Sequence, residues 1–199
     1  MMSRSSAVLS SPLAVLMGST AAMADVTAEQ VWEAWSKQYT AYGYALSDEA
    51  TTREGDTLVV RGLSLKQETE DASFDMTVPE VRLRELGDGT VEVTASEEIR
   101  ALATSAIEEA PDVSLDISIR QAGSVTIVSG TPEALSYAMT APEMVIELDQ
   151  TQIGSELNAP VKVWMSIQGP TGTYTVTGTD SQQIDSNFRV SGVKITASG

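Results

Sequence analysis

The chain has 199 residues, 12 Lys and Arg against 28 Asp and Glu, a net charge of −16, and no His or Cys. Those absences exclude a Ser-His-Asp triad, a cysteine nucleophile, a disulfide and any ordinary zinc, copper or haem centre. So acidic a chain repels nucleic-acid phosphates and anionic surfaces, and no nucleic-acid partner is expected.

The first 24 residues read as an address. One positive charge at Arg4 precedes a small-apolar run from Ala7 to Ala21, which ends in Ala22-Met23-Ala24 just before Asp25. This is the layout of a cleavable signal peptide. The run is too short and too rich in Ser to span a bilayer, and no other stretch is long enough, so the chain is not expected to be membrane-spanning. Cleavage after Ala24 leaves residues 25–199 as a single β-rich domain with a net charge of −17, because Arg4 departs with the peptide. In a Gram-negative cell the expected location is the periplasm.

Thr27-Ala28-Glu29-Gln30 is a capping box, and Val31, Trp35, Tyr39 and Tyr42 recur at helical spacing with Trp32 beside them. Gly43 supplies the left-handed residue that ends such a helix. The expectation is one amphipathic helix over about Ala28–Tyr42 whose aromatic stripe covers a sheet.

Beyond Gly43 the period changes to two. In the stretch from Val113 to Arg120, Val113, Leu115, Ile117 and Ile119 alternate with Asp112, Ser114, Asp116, Ser118 and Arg120. A half-buried antiparallel strand has this signature. The same reading gives strands at Leu58–Leu65, Phe74–Leu86, Val91–Ala95, Ser124–Ser129, Met144–Leu148, Val161–Ile167, Tyr174–Thr179 and Phe188–Thr196. Gly87-Asp88-Gly89 and Ala122-Gly123 are read as tight hairpins, and Gly169-Pro170-Thr171-Gly172 as a turn. Ser96–Ala110 is ambiguous, with propensity favouring a short helix stopped by Pro111. The fold class is therefore mainly β, an antiparallel bent meander sheet, trough or sandwich-like, with one N-terminal amphipathic helix.

Ser73-Phe74-Asp75-Met76-Thr77-Val78-Pro79-Glu80-Val81 matches Ser136-Tyr137-Ala138-Met139-Thr140-Ala141-Pro142-Glu143-Met144 at a spacing of 63 residues. A looser third copy begins at Asn187-Phe188. Proline cannot donate to an inner ladder, so Pro79 and Pro142 mark kinks, and a sheet kinked at intervals curls into a trough. With this repeat running to the last residue, the chain reads as the front of a longer repeating protein or as one that ends unusually short.

No catalytic constellation emerges. The carboxylate candidates Glu97-Glu98, Glu108-Glu109, Asp112/Asp116 and Glu143/Glu147 read as solvated surface charge, because alternation sends Glu143 and Glu147 to one wet face. Neither Glu70-Asp71 nor Asp180/Asp185 matches a calcium loop. The expectation is no enzyme, no cofactor and no metal.

Asp25-Val26-Thr27-Ala28-Glu29-Gln30-Val31-Trp32 directly after a signal peptide resembles the mature start of the domain-of-unknown-function family numbered 2125, secreted proteins of Gram-negative cells. Arg53-Glu54-Gly55-Asp56-Thr57-Leu58, Gly87-Asp88-Gly89-Thr90-Val91, Val128-Ser129-Gly130-Thr131-Pro132-Glu133 and Gly172-Thr173-Tyr174 extend the resemblance along the chain. It is similar to the N-terminal part of those longer proteins, and more distantly to AsmA-like envelope proteins. That resemblance implies a bent β-sheet whose concave apolar side carries or shields lipid, and it implies no catalytic residues.

Two functions follow as expectations. The first is a non-enzymatic periplasmic protein of envelope maintenance that holds a lipid or hydrophobic ligand on a concave face lined by Val113, Leu115, Ile117, Ile119 and Met165, with Trp164 turned outward. The second is a closed β scaffold that meets an envelope protein or glycan partner.

Overall fold

The computed structural model describes residues 25–106, 113–153, 162–178 and 183–198, with the backbone alone over 149–153. The signal-peptide segment, Glu108, Glu109, Asp112 and Asp180 lie outside the described residues.

Helix α1 spans Ala28–Ala41. The capping box forms as read: the Thr27 hydroxyl accepts from the Gln30 N–H, and the Gln30 side chain accepts from the Thr27 N–H at 2.9 Å. Gly43 follows the helix at φ 85°. Strands β1 (Ala45–Ser47), β2 (Ala50–Glu54), β3 (Thr57–Glu68), β4 (Ala72–Glu85), β5 (Val91–Ala95), β6 (Glu98–Ser105) and β7 (Val113–Arg120) come next. They are followed by β8 (Val125–Thr131), β9 (Ala134–Thr140), β10 (Glu143–Ile153), β11 (Lys162–Gln168), β12 (Thr171–Thr177), β13 (Gln183–Arg189) and β14 (Gly192–Ser198).

All fourteen strands join one antiparallel sheet. The long hairpin β3–β4 is its spine, and from β4 the sheet branches into two arms. One arm runs β5-β8-β9-β12-β13 and the other β6-β7-β10-β11-β14. The pairs β5–β6, β7–β8, β9–β10, β11–β12 and β13–β14 each cross from one arm to the other without reversing, and β6–β7, β8–β9, β10–β11 and β12–β13 are hairpins within an arm. The result is a plain meander of long strands that meet one level, where β3 and β4 run through and the others break. That level is a bend row through Gly62, Pro79, Ser96, Ala122-Gly123, Ala141-Pro142, Gly169-Pro170 and Val190-Ser191.

The chemistry of the row explains the bend. Pro142 stands opposite Gly169, and Pro170 opposite Ala141. Each proline contributes its carbonyl and the partner contributes the N–H, Gly169 to Pro142 at 2.8 Å and Ala141 to Pro170 at 3.0 Å. At Pro79 the next residue is held differently: the Ser96 hydroxyl accepts from the Glu80 N–H at 2.9 Å, and the Ser96 N–H donates to Glu80 O at 2.9 Å. Gly62, at φ 61°, adopts a conformation that side chains resist, and there the inward set of β3 passes from Leu58 and Val60 to Leu63 and Leu65.

Several sequence expectations are corrected here. Ser96–Ser105 is not helical; β6 occupies Glu98–Ser105 and pairs with both β4 and β7. Ala122-Gly123 is not a hairpin turn, and at Gly169-Pro170 the chain likewise bends onward, because the strands either side of each belong to different arms. Gly87-Asp88-Gly89 does close the β4–β5 hairpin. The run Phe188–Thr196 is two strands split at the bend. Pro79 and Pro142 both lie on the bend row, but β4 crosses it toward the β5 arm and β9–β10 toward the β7 arm, so the two matching segments run in opposite senses.

Helix α1 packs on one face of the first arm. Val31 and Ala28 are fully buried against Leu58, Val60, Val81, Leu83, Val91, Val93, Val128, Leu135, Tyr137 and Val176. Its start is fixed by the Ala28 N–H, which donates to Glu85 at 3.0 Å, and by Val26, whose N–H donates to Gly89 O at 3.2 Å.

Candidate functional site

The helix covers one arm and leaves the other open. Antiparallel partners share a face, so the ladder registers decide which side chains line the open arm. Ile99 pairs with Ile119, Ala101 with Ile117, and Ala103 with Leu115. Across β10, Ile119 pairs with Ile146 and Ile117 with Leu148. Across β11 and β14, Ile146 pairs with Met165 and Met165 with Ile195, while Ile167 pairs with Val193. On the near side Met76 pairs with Ala101 and Phe74 with Ala103. The rows through Ile119 and Ile117 are apolar from β6 to β14, whereas the Leu115 row meets Thr151 on β10.

These rows lie on the helix side of the sheet. Met76, Ile99 and Leu65 line a cavity of about 350 Å3 together with Trp32, Trp35 and Tyr39 of α1 and Val93 of β5. The cavity sits where α1, the bend row and the open arm meet. Two rings of its wall are tied together through Tyr137 behind them: Tyr137 stacks on Tyr174 with centroids 4.3 Å apart, and the Trp35 indole N–H donates to the Tyr137 hydroxyl at 3.2 Å. Burial pushes the Tyr137 phenol up to about 12 and the Tyr174 phenol higher still, so both rings stay neutral.

All five residues singled out from the sequence, Val113, Leu115, Ile117, Ile119 and Met165, fall on this one face, each half-buried. Trp164 points to the opposite face, beneath the Lys194 ammonium at 5.7 Å. Sequence reasoning missed Ile146 and Leu148, which stand between β7 and β11, and also Val193 and Ile195, which are 54% and 66% exposed. Their alternation was legible, but without strand order nothing tied them to Ile117. Of the helix aromatics expected to cover a sheet, Trp32 and Trp35 pack against the core, whereas Tyr39 and Tyr42 are 37% and 51% exposed.

The outer face is a lattice of ion pairs. Arg61 bridges Glu54 and Glu80, Arg84 meets Glu92 at 2.8 Å, Lys66 meets Asp75 at 2.6 Å, and Arg120 grips Glu147. The Arg120 hydrogen bond holds the Glu147 carboxyl below its ordinary range. Glu143 accepts from Ser166 and Gln168. The carboxylates considered for catalysis that fall among the described residues are therefore surface groups, Glu98 and Glu147 paired with arginine. Among those residues no group of three or more carboxylates could hold a metal ion, and no helix is long and apolar enough to cross a membrane.

No known protein family, curated protein or solved structure matches this chain.

Proposed function

We propose that this is an exported, non-enzymatic protein of the Gram-negative envelope that holds the hydrocarbon part of a lipid on the concave face of its open arm. One observation carries the reading: apolar rows run in register across β4, β6, β7, β10, β11 and β14 on the face that α1 leaves uncovered. At about 4.8 Å per strand the face is roughly 24 Å wide, and from Val113 to Ile119 it is roughly 20 Å long. A soluble monomer seldom leaves so large an apolar patch open without a use for it. Covering about 400 Å2 of it with hydrocarbon is worth up to about 10 kcal/mol before the costs of association.

Supporting features are the signal-peptide layout of residues 1–24 and the resemblance, at Asp25–Trp32 and the turns quoted with it, to secreted proteins of family 2125 and to AsmA-like envelope proteins. The competing closed scaffold has less in its favour, because among the described residues β1, β2, β13 and β14 each pair on one side and the strand path does not close.

The test is native mass spectrometry of the mature protein, exported in its host and purified without detergent. Co-purifying lipid that is lost in Ile117→Asp and Ile146→Asp, but kept in the outer-face variant Thr196→Asp, supports the reading when circular dichroism shows all three folded. A clean apo mass for the wild type sinks it.

A further inference from the structure

The two free edges of the sheet are built differently. On the β3 side the edge is split into β1 and β2, three and five residues long, with Asp48-Glu49 at the break. Short, charged and interrupted strands are how sheets prevent further pairing. On the far side β13 and β14 are parted at Val190-Ser191 as well, but each is seven residues long, and they pair with β12 and β11 in one register from Thr171↔Arg189 to Gln168↔Gly192. Of the nine exposed large hydrophobics among the described residues, five are on this edge: Ile184, Phe188, Val190, Val193 and Ile195. An edge so long and apolar is a template for another strand.

We propose that two copies of this chain pair through β13–β14, antiparallel, about a two-fold axis perpendicular to the sheet between Val190 and Ser191. Symmetry tests the idea at once, since self-pairing must bring concave face against concave face. The inward residues are Ile184, Ser186 and Phe188 before the bend and Val193, Ile195 and Ala197 after it. This follows from the pairing of Ile184 with Val176 and of Phe188 with Gly172 on one arm, and of Ile195 with Met165 on the other. The alternation changes phase at the bend. Because of that change, an axis on the bend row sets Phe188 opposite Val193 of the second copy, Ser186 opposite Ile195, and Ile184 opposite Ala197. Without it, the inward set of one copy would meet the outward set of the other.

The outward residues agree. Asn187 falls opposite Lys194 of the second copy and Asp185 opposite Thr196, which puts Asp185 diagonal to Lys194, and the contact is made twice. In an acidic molecule, Lys194 and Arg189 put positive charge on this edge and lessen the repulsion between two copies there. Rotation about such an axis keeps both sheets bent to the same side. The dimer would carry one continuous concave face with a helix at each diagonal corner, whatever that face holds.

The absence of native cysteine gives a direct test on the full chain. Ser186→Cys and Ile195→Cys are made separately, mixed and oxidised. The expected result is a disulfide-linked dimer in the mixture and little from either variant alone, because residue 186 of one copy faces 195 of the other. Mixing Asn187→Cys with Ile195→Cys places the thiols on opposite faces and should give none. In sedimentation the wild type should dimerise more strongly as salt rises, and Ile195→Lys should weaken association about tenfold or more by facing its twin row with charge. A wild type that stays monomeric at all salt concentrations, or cross-linking as efficient from the 187/195 mixture as from 186/195, overturns the proposal. The cysteine arms keep it falsifiable if Ile195→Lys fails to fold.

Discussion

Glu85 is the residue through which charge fixes the helix to the sheet, and its removal has a calculable cost. One carboxylate oxygen accepts the N–H of Ala28, a fully buried residue at the first position of α1, while the other meets Arg53 at 2.6 Å. Glu85 is 29% and Arg53 35% exposed in their side chains, so solvent screens the ion pair to about 0.5 kcal/mol. The hydrogen bond from a buried donor to a charged acceptor contributes about 1.5 to 2 kcal/mol, and its loss leaves the Ala28 N–H unpaired. Glu85→Ala should therefore destabilise by about 2 kcal/mol, and Glu85→Gln, which keeps an acceptor, by about 1 kcal/mol. The Arg53 hydrogen bond, followed by that from Ala28, holds the Glu85 carboxyl below its ordinary range. A depressed carboxyl pKa gives stability that is complete above the unfolded value of about 4.3 and is lost as pH falls through the folded value. Urea unfolding from pH 7 downward, read as wild type minus Glu85→Gln, cancels the general charge repulsion. The difference should be flat above about pH 5 and shrink below it. A Glu85→Ala cost under about 0.5 kcal/mol, or a difference that does not change with pH, would refute the reasoning.

Val31→Ala removes two methyl groups from a fully buried site under the helix and should cost about 2 kcal/mol by urea unfolding. Gly130 has φ 107° and an added Cβ would lie 2.2 Å from the Ala134 carbonyl oxygen, whereas at Gly55, φ 65°, it would meet nothing. Gly130→Ala should thus destabilise by more than about 3 kcal/mol and Gly55→Ala by about 1 kcal/mol, and equal effects would contradict the β8–β9 geometry. In an alkaline absorbance titration Tyr137 should ionise only near 12. The raised phenol gives stability that is present below about pH 10 and lost as pH rises from there; Tyr137→Phe should flatten that limb of the melting profile.

How far the fold could be read from sequence is decided by side-chain size. Where the inward residues are large, as in Val113, Leu115, Ile117 and Ile119, alternation is plain and the strand and its face follow. In β6 the inward positions beyond Ile99 are Ala101 and Ala103, while the largest apolar residue, Leu102, points outward and is 44% exposed. Alanine inward and leucine outward reverse the hydropathy signal, and alanine's helix propensity then suggests the wrong element. Strands β1 and β2 are almost wholly exposed, so no burial pattern exists to reveal them. Ala122-Gly123 and Gly169-Pro170 carry turn chemistry, and sequence cannot separate a chain that turns back from one that bends onward. Only the partners of the flanking strands make that distinction.

The bend also determines where the open face lies. In β4 the inward residues are Met76 and Val78 before the row and Val81 and Leu83 after it, a change of phase at Pro79-Glu80. Had the strand continued straight in one phase, Arg82 and Arg84 would face the helix and Val81 and Leu83 the solvent. The change of phase lets one strand be apolar inward on both arms although its sequence reads as two out-of-step halves. The sheet requires a change of phase in every strand at one level, which proline, glycine and a back-bonding serine supply. A single helix of fourteen residues is about 21 Å long and covers only one of the arms so formed. The uncovered apolar face is thus a product of the same residues that make the fold: the bend row doubles the concave surface, and α1 is long enough to seal only half.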